Sequence, residues 1–427
     1  MVCFILYAIR VFVQSYAFIV NHKNKKYSYL CLIMARIVHI NTVADTFTGV
    51  GSVMATLAAC QRRQGLDVSI IAGYERPEYG TFADYVMCGR IRHSFAALEA
   101  RVRANDGRLC PNDGRLCRHA TRRLTARLDS LGDVAALHLH NLHGYYIDVP
   151  TLMAWAWLHK VRTVVTMHDH WWCTGRCAYI HSACGSDCRN CMFRDSYPAT
   201  WRRDGGDTAN ERVRRRDFAR IMVGTVAHFT APSQGLANLA SERLGICVSV
   251  VPNGIDTTVF HPNNTIGSTG DTLHIVAAAA TWTPLKGGKM LRAIAESLPR
   301  NWRLTIVGRN APVKASARVR VIDYTTPKSM ASIYRSANVL LSTATTEAFG
   351  MTVAEALTCG VPAVVNSATV TSELISDGVN GFAIPMDISS PSDAICALER
   401  AAILRTTHSL THLTADRMAK EYKALYF

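Results

Sequence analysis

The chain has 427 residues, 49% of them apolar and 19% charged, which excludes a disordered or low-complexity protein and suits two folded domains rather than one. The net charge of +15 is unevenly spread: Arg101, Arg103, Arg108, Arg115, Arg118, Arg122, Arg123 and Arg127 crowd one stretch, and Arg202, Arg203, Arg212, Arg214, Arg215, Arg216 and Arg220 another. Such a field suits nucleic acid, anionic lipid or a phosphate-bearing substrate, and the plainer reading is a solvated helix face. The 14 cysteines are mostly scattered singly in apolar runs (Cys60, Cys247, Cys359, Cys396), as core residues are in a reducing compartment.

Residues 1–33 form an N-terminal extension in which an apolar run, Met1 to Val20, is followed by a basic segment, Asn21 to Lys26. It reads either as a membrane anchor with the body on the cytoplasmic side or as sequence upstream of a start at Met34. From Arg36 the pattern is strand (Ile37–Ile40), Gly-rich turn (Thr48 to Ser52), helix (Val53 to Arg63) and strand (Val68–Ala72). The stretch Asn105 to Cys110 recurs seven positions on as Asn112 to Cys117 and is read as a duplicated surface loop. Further strands are expected at 135–140 and 163–168, each ending in histidine, and at 227–231 and 248–251. Pro252-Asn253-Gly254 is a turn, and the polar stretch 263–271 is the expected linker. A second alternating half follows, with strands at 273–280, 303–307, 319–322, 339–342 and 363–366. Strands alternating with helices imply parallel sheets, so the fold class is α/β with two Rossmann-like domains facing a central cleft. The expected division is 34–245, 246–410 and a last helix within 411–427.

The strongest chemical signal is Glu347-Ala348-Phe349-Gly350-Met351-Thr352-Val353-Ala354-Glu355, at the junction of a strand and a helix. Amides at a helix start lack intrahelical partners and the dipole is positive there, so a diphosphate can sit on Phe349, Gly350, Met351 and Thr352. Glu347 can accept hydrogen bonds from sugar hydroxyls, and Glu355, one turn in, from a ribose diol. The plainer reading is a helix acid and a surface acid.

The Glu-x7-Glu spacing in this segment resembles the signature of family 4 retaining glycosyltransferases of the GT-B type. Ala231-Pro232-Ser233, Val251 to Asp256, Lys286-Gly287-Gly288, Ile306-Val307-Gly308, Gly360-Val361-Pro362 and Asn380-Gly381-Phe382 occur in that family's order. His140 to Tyr146, Thr166 to Trp171 and Thr174 to Cys177 resemble its colanic-acid and exopolysaccharide branch. The resemblance implies a nucleotide-sugar donor, a lipid-linked or oligosaccharide acceptor, no catalytic metal and no nucleic-acid partner. The basic stretches make most sense as contacts to anionic lipid or a lipid-diphosphate acceptor, so the expectation is a cytoplasmic protein peripheral on the inner membrane face. The resemblance also implies that Lys286 neutralises the departing diphosphate, His168 contacts the donor sugar, Gly49 and Gly51 bring the first loop to the phosphates, and the last helix crosses back to the first domain. In such an enzyme the leaving diphosphate helps deprotonate the acceptor. One departure stands out: relatives usually carry an Arg at the position held here by Thr281, so either Arg309, after Gly308, compensates or the donor phosphate is held less strongly.

His138 and His140 share a strand face and one of them can be plain core; His143 and His170 are divided between site and core. Cys177, Cys184, Cys188 and Cys191 could hold a structural Zn²⁺, the alternative being free thiols. The rival functions are a sugar epimerase or phosphorylase on the same fold, and a zinc-knuckle nucleic-acid-binding protein.

Overall fold

The structure is a computed structural model that describes residues 36–89, 94–95, 115–180, 188, 208–262, 272–323, 325–404 and 411–427. Two parallel sheets are built from it. The first has seven strands: β1 (Arg36–Asn41), β2 (Asp67–Ala72), β3 (Tyr85–Val86), β4 (Val134–Leu139), β5 (Arg162–Thr166), β6 (Ala227–Ala231) and β7 (Val248–Val250), in the order β3-β2-β1-β4-β5-β6-β7. The second has six: β8 (His274–Thr281), β9 (Arg303–Arg309), β10 (Val319–Ile322), β11 (Val339–Ser342), β12 (Ala363–Asn366) and β13 (Gly381–Ile384), in the order β10-β9-β8-β11-β12-β13. β1 and β4 are almost wholly buried, the sign of a parallel sheet covered on both faces.

Helices α1 (Gly49–Arg63), α2 (Arg115–Ser130), α3 (Val149–Leu158), α4 (Thr208–Val223) and α5 (Gln234–Leu244) belong to the first half. One face of its sheet packs under α2 to α5 through Leu124, Leu152, Trp155, Phe229 and Leu236. Helices α6 (Gly288–Glu296), α7 (Pro327–Arg335), α8 (Met351–Thr358) and α9 (Pro391–Ala402) cover the second sheet. The last helix, α10 (Ala415–Tyr426), lies beside α1 on the other face of the first sheet, where Met418, Tyr422 and Tyr426 pack with Met54, Leu57 and Val164.

The expected boundary at 245/246 is corrected by pairing. Val248 and Val250 are ladder partners of Phe229 and Ala231, so β7 completes the first sheet and the halves divide after it. The linker expected at 263–271 and the segment 105–114 lie outside the described residues, as do residues 1–33. The chain crosses between halves twice at one place: Ile255 N–H donates to Leu413 O (2.7 Å) and Ala415 N–H to Ile255 O (3.1 Å). Gly254 is needed there, because a Cβ would stand 2.6 Å from Ala415 Cα.

The second arginine run is not a uniform solvated face. Arg215 is fully buried, stacked on Trp171 with its guanidinium carbon 4.0 Å from the ring centre, and donates to the carbonyls of Trp171, Thr174 (2.8 Å) and Gly175 (3.0 Å). Arg220 donates to Leu244 O and Arg216 pairs with Asp217. Arg215 thus staples the loop after β5 to α4 and Arg220 ties α4 to the end of α5, so these cations carry less weight as an anion-attracting field. Among the described residues no helix is long and apolar enough to cross a membrane.

Candidate active site

Each sheet has one point where strand order reverses: between β1 and β4 in the first, and between β8 and β11 in the second. Loops leaving the carboxyl ends of strands diverge at such a point and leave a crevice. At the first, Asp45 shapes the turn, its carboxylate accepting from Phe47 N–H (3.1 Å), Thr48 N–H (3.2 Å) and Arg76 Nε (2.9 Å). Thr42 Oγ donates to Asn141 O (3.0 Å), which ties this turn to the loop after β4.

At the second, the loop after β8 carries Lys286 and the loop after β11 carries Glu347. They are bound to each other by main chain: Thr345 N–H donates to Leu285 O (2.9 Å) and Thr343 Oγ to Lys286 O (3.0 Å). Gly287 sits at φ 72, and a Cβ there would stand 1.8 Å from Thr343 O, so only glycine allows the two loops to approach. Lys286 Nζ lies 2.5 Å from Glu347 Oε1, with both side chains partly exposed.

Gly350, at φ 97, opens α8, and a Cβ on it would strike Thr371 Cγ2 at 2.4 Å. No side chain caps this helix start, so its first amides are left for another acceptor. Glu355 lies one turn in and accepts from Tyr334 OH at 3.1 Å. Burial raises the Glu355 carboxyl to about 7, with the Tyr334 hydrogen bond opposing the rise.

The two sets of loops meet. A Cβ on Gly49 would be 3.9 Å from Met351 Cγ, Ser233 Oγ donates to Ala348 O (2.7 Å), and Thr346 Oγ lies 3.5 Å from Ile180 O. The Glu373 carboxylate accepts from Gln234 N–H (2.8 Å) and Gly235 N–H (2.7 Å), capping α5 of the opposite half. Arg309 reaches across as well: its guanidinium carbon is 4.5 Å from the Phe47 ring centre and 5.1 Å from that of Tyr79, rings themselves stacked at 4.2 Å. Its buried Nε has no hydrogen-bond partner among the described residues. Thr281 and Arg309 are direct cross-strand partners.

Gly51 departs from expectation. Its amide is taken by Thr48 Oγ (3.1 Å), and a Cβ would stand 1.8 Å from Asp45 O. It allows the turn to pack against α1 and has no amide to offer a phosphate, whereas Gly49 is exposed at the helix start. His168, just past β5, is half-buried with Nε2 2.9 Å from His140 Nδ1. His138 and His140 are both fully enclosed and hydrogen-bonded. His143 is buried and paired with Asp169 at 2.7 Å. Burial alone would push the Asp169 carboxyl up, but His143 and the Trp171 amide hold it below its usual value. His170 is buried, and burial lowers its imidazole pKa. Of the four proposed zinc ligands, Cys184 and Cys191 lie outside the described residues; Cys177 is buried and Cys188 half-buried at φ 60.

Residues 47–259 match the family described as Glycosyltransferase Family 4, and residues 273–400 match Glycosyl transferases group 1. The chain belongs to glycosyltransferase family 4. It is 24% identical over 254 residues to the putative colanic acid biosynthesis glycosyl transferase WcaC of Escherichia coli, a match spanning 56% of this chain and 61% of that relative. It is 26% identical over 294 residues to D-inositol 3-phosphate glycosyltransferase of Paenarthrobacter aurescens, spanning 62% of this chain and 67% of that one. Among solved structures, the glycosyltransferase from Rickettsia africae superposes with TM-score 0.60 at 12% identity, covering 92% of this chain and 98% of its own. Anabaena HepE in complex with UDP and glucose superposes with TM-score 0.58 at 14% identity, covering 91% and 98%. The fold of this family 4 chain is thus GT-B, with two Rossmann-like sheets whose reversal points face one crevice.

Proposed function

We propose that this chain transfers a sugar, with retention, from a nucleotide-sugar donor to a lipid-linked or oligosaccharide acceptor in the synthesis of an exopolysaccharide or other surface glycan. The observation that carries the reading is the contact of Lys286 with Glu347 beside an uncapped helix start. The donor diphosphate is assigned to Lys286 and the amides of Phe349 to Thr352, the transferring sugar to Glu347 and His168, and the ribose to Glu355. Gly49 lets the first loop approach. Positive charge placed where the leaving group becomes more negative lowers the barrier. The leaving diphosphate then takes the acceptor proton on the same face, so no protein carboxylate need act as nucleophile. The bound UDP and glucose named for HepE, and the transferase names of the relatives, favour transfer over the epimerase and phosphorylase alternatives.

A thermal-shift panel of UDP-, GDP- and ADP-sugars tests this directly, since a ligand that binds only the folded form raises its melting temperature. One nucleotide class is expected to raise it, and Glu355→Ala to abolish the rise. No shift with any donor, at concentrations up to millimolar, would sink the assignment.

Arg309 is assigned to the same diphosphate, as the cation displaced from position 281 onto the neighbouring strand. Its unpartnered Nε and its place beside Thr281 support this. Arg309→Ala is expected to lower donor kcat/KM by about tenfold or more, the order expected for one charged contact. Thr281→Arg in that background is expected to restore part of it. Failure of the second change to restore any activity would leave Arg309 as a packing residue.

A peripheral position on an anionic inner membrane face fits the exposed Arg122, Arg123 and Arg127 of α2, which neighbours α3 with its exposed Trp157 and Leu158. Flotation with vesicles containing phosphatidylglycerol should exceed flotation with phosphatidylcholine alone and fall with salt. Equal recovery with both lipids would remove the membrane role.

A further inference from the structure

Behind His168 runs a line of polar side chains within the first half. Gln61 Oε1, on α1, lies 2.8 Å from His39 Nε2; His39 Nδ1 lies 3.0 Å from His140 Nε2; and His140 Nδ1 lies 2.9 Å from His168 Nε2. Gln61, His39 and His140 are sealed from solvent, and only His168 is partly exposed. Neighbouring rings in the line are nearly parallel, at 17° and 20°. β1, β4 and β5 are neighbours, with His39 registered on His138, and with His140 and His168 lying just past β4 and β5, which sets the three histidines in a diagonal line on one face of the sheet.

A row of neutral imidazoles has only two consistent proton arrangements, because each ring has one N–H and one lone pair. Burial brings His39 and His168 down to about 4, and holds His140 well below its ordinary value, so all three are neutral near pH 7. The amide of Gln61 chooses between the two arrangements. Its Nε2 donates to Tyr426 OH (3.0 Å), which lies 2.6 Å from His138 Nδ1, and His138 Nε2 is in turn 2.7 Å from Thr166 Oγ. With its amide placed this way, the carbonyl end of Gln61 faces His39 and can only accept. His39 must carry its proton on Nε2, His140 on Nε2 and His168 on Nε2.

We propose that Gln61, acting through His39 and His140 and anchored by Tyr426 of the last helix, is a positioning residue that fixes His168 as the Nε2–H tautomer, so that His168 turns the Nδ1 lone pair to the crevice and accepts a hydrogen bond from a donor-sugar hydroxyl. This rests on the reading that His168 faces the donor. His39, His138 and His140 also offer ring nitrogens within 4.8 Å of one another, a spacing that suits a metal ion, but every one of those nitrogens is already in a hydrogen bond. The cluster is therefore assigned to setting protons.

The test is a long-range ¹H–¹⁵N correlation spectrum of the full chain labelled at histidine, near pH 7.5 and without any donor. His168 is expected as the neutral Nε2–H form. A wild-type spectrum with His168 as Nδ1–H overturns the proposal, even if no variant folds. Gln61→Met keeps the volume and removes the acceptor; His168 is then expected as a mixture of tautomers, with kcat lowered about tenfold, the factor for roughly 1.4 kcal/mol, and the donor KM changed much less. Gln61→Glu keeps an acceptor facing His39 and should retain the wild-type tautomer. A folded Gln61→Met protein with an unchanged His168 tautomer, or with a changed tautomer and unchanged kcat, overturns the positioning role. The spectrum needs no donor, so failure of the donor panel would retire the transferase reading and leave the tautomer result to stand or fall by itself.

Discussion

Replacing Lys286 with Met is expected to lower kcat/KM for sugar transfer by about 10²–10³-fold while leaving the melting temperature near that of the parent. The asymmetry follows from where the pair sits. Lys286 and Glu347 are in contact at 2.5 Å, but their side chains are 31% and 18% exposed, so solvent screening leaves the ion pair worth roughly 1 kcal/mol or less to stability. The loops are held instead by the Thr343 and Thr345 contacts and by the close approach at Gly287, none of which needs the ammonium group. During reaction the same ammonium faces a leaving group whose negative charge grows. Donor binding asks Lys286 to exchange Glu347 for the diphosphate, which frees Glu347 to accept from sugar hydroxyls. The two residues act as a unit, so Glu347→Gln is expected to cost a similar factor and the double variant far less than the product of the two. Additive losses, or Lys286→Met activity within threefold of the parent, would show that the charge lies elsewhere.

Much of this arrangement is legible in the sequence, for physical reasons that differ by element. Strands such as Ala363–Asn366 and Val339–Ser342 are short, mainly apolar runs between turn signals, the pattern expected of a parallel strand buried on both faces. β3 and β13 escaped: Tyr85–Val86 has only two residues, and Gly381–Ile384 begins at a glycine whose Cβ would strike Ala363 O at 1.9 Å. β7 is legible as a strand, but a boundary at 245/246 puts it in the second half, because pairing partners are set by tertiary packing and leave no local trace. The motif acids and Lys286 were visible because their chemistry is local to a strand end and a helix start. The network behind His168 was not. Gln61 looks like a polar position on an amphipathic helix, and His39 like an isolated strand residue, until α10 closes over them. Arg309 was singled out only by its need to replace position 281; its stack on Phe47 and Tyr79 joins residues that no spacing rule connects.

The second large effect concerns pH. Glu355 is expected to bind a nucleotide ribose only as the carboxylate, since a diol donates and a protonated acid has lost half its accepting capacity. Its pKa is raised to about 7, by burial first and against the Tyr334 hydrogen bond, so donor affinity should climb as pH rises from about 6 to 8 and then level. The stability sign is opposite. A carboxyl with a folded pKa above its ordinary 4.5 favours the folded state while protonated; that advantage is fully present below about 4.5 and is lost as pH rises through about 7. Glu355→Gln stays neutral throughout, so it should melt higher than the parent at pH 8 and about equally at pH 4.5, while binding donor at least tenfold more weakly at pH 8, the loss expected when a charged hydrogen-bond acceptor is removed. A carboxylate kept in an unfavourable place because a ligand needs it predicts this pairing of firmer fold and poorer binding. If Glu355→Gln instead lowered the melting temperature at pH 8, or left affinity unchanged, the acid would be serving the α7–α8 contact through Tyr334 and the ribose would have to be placed elsewhere.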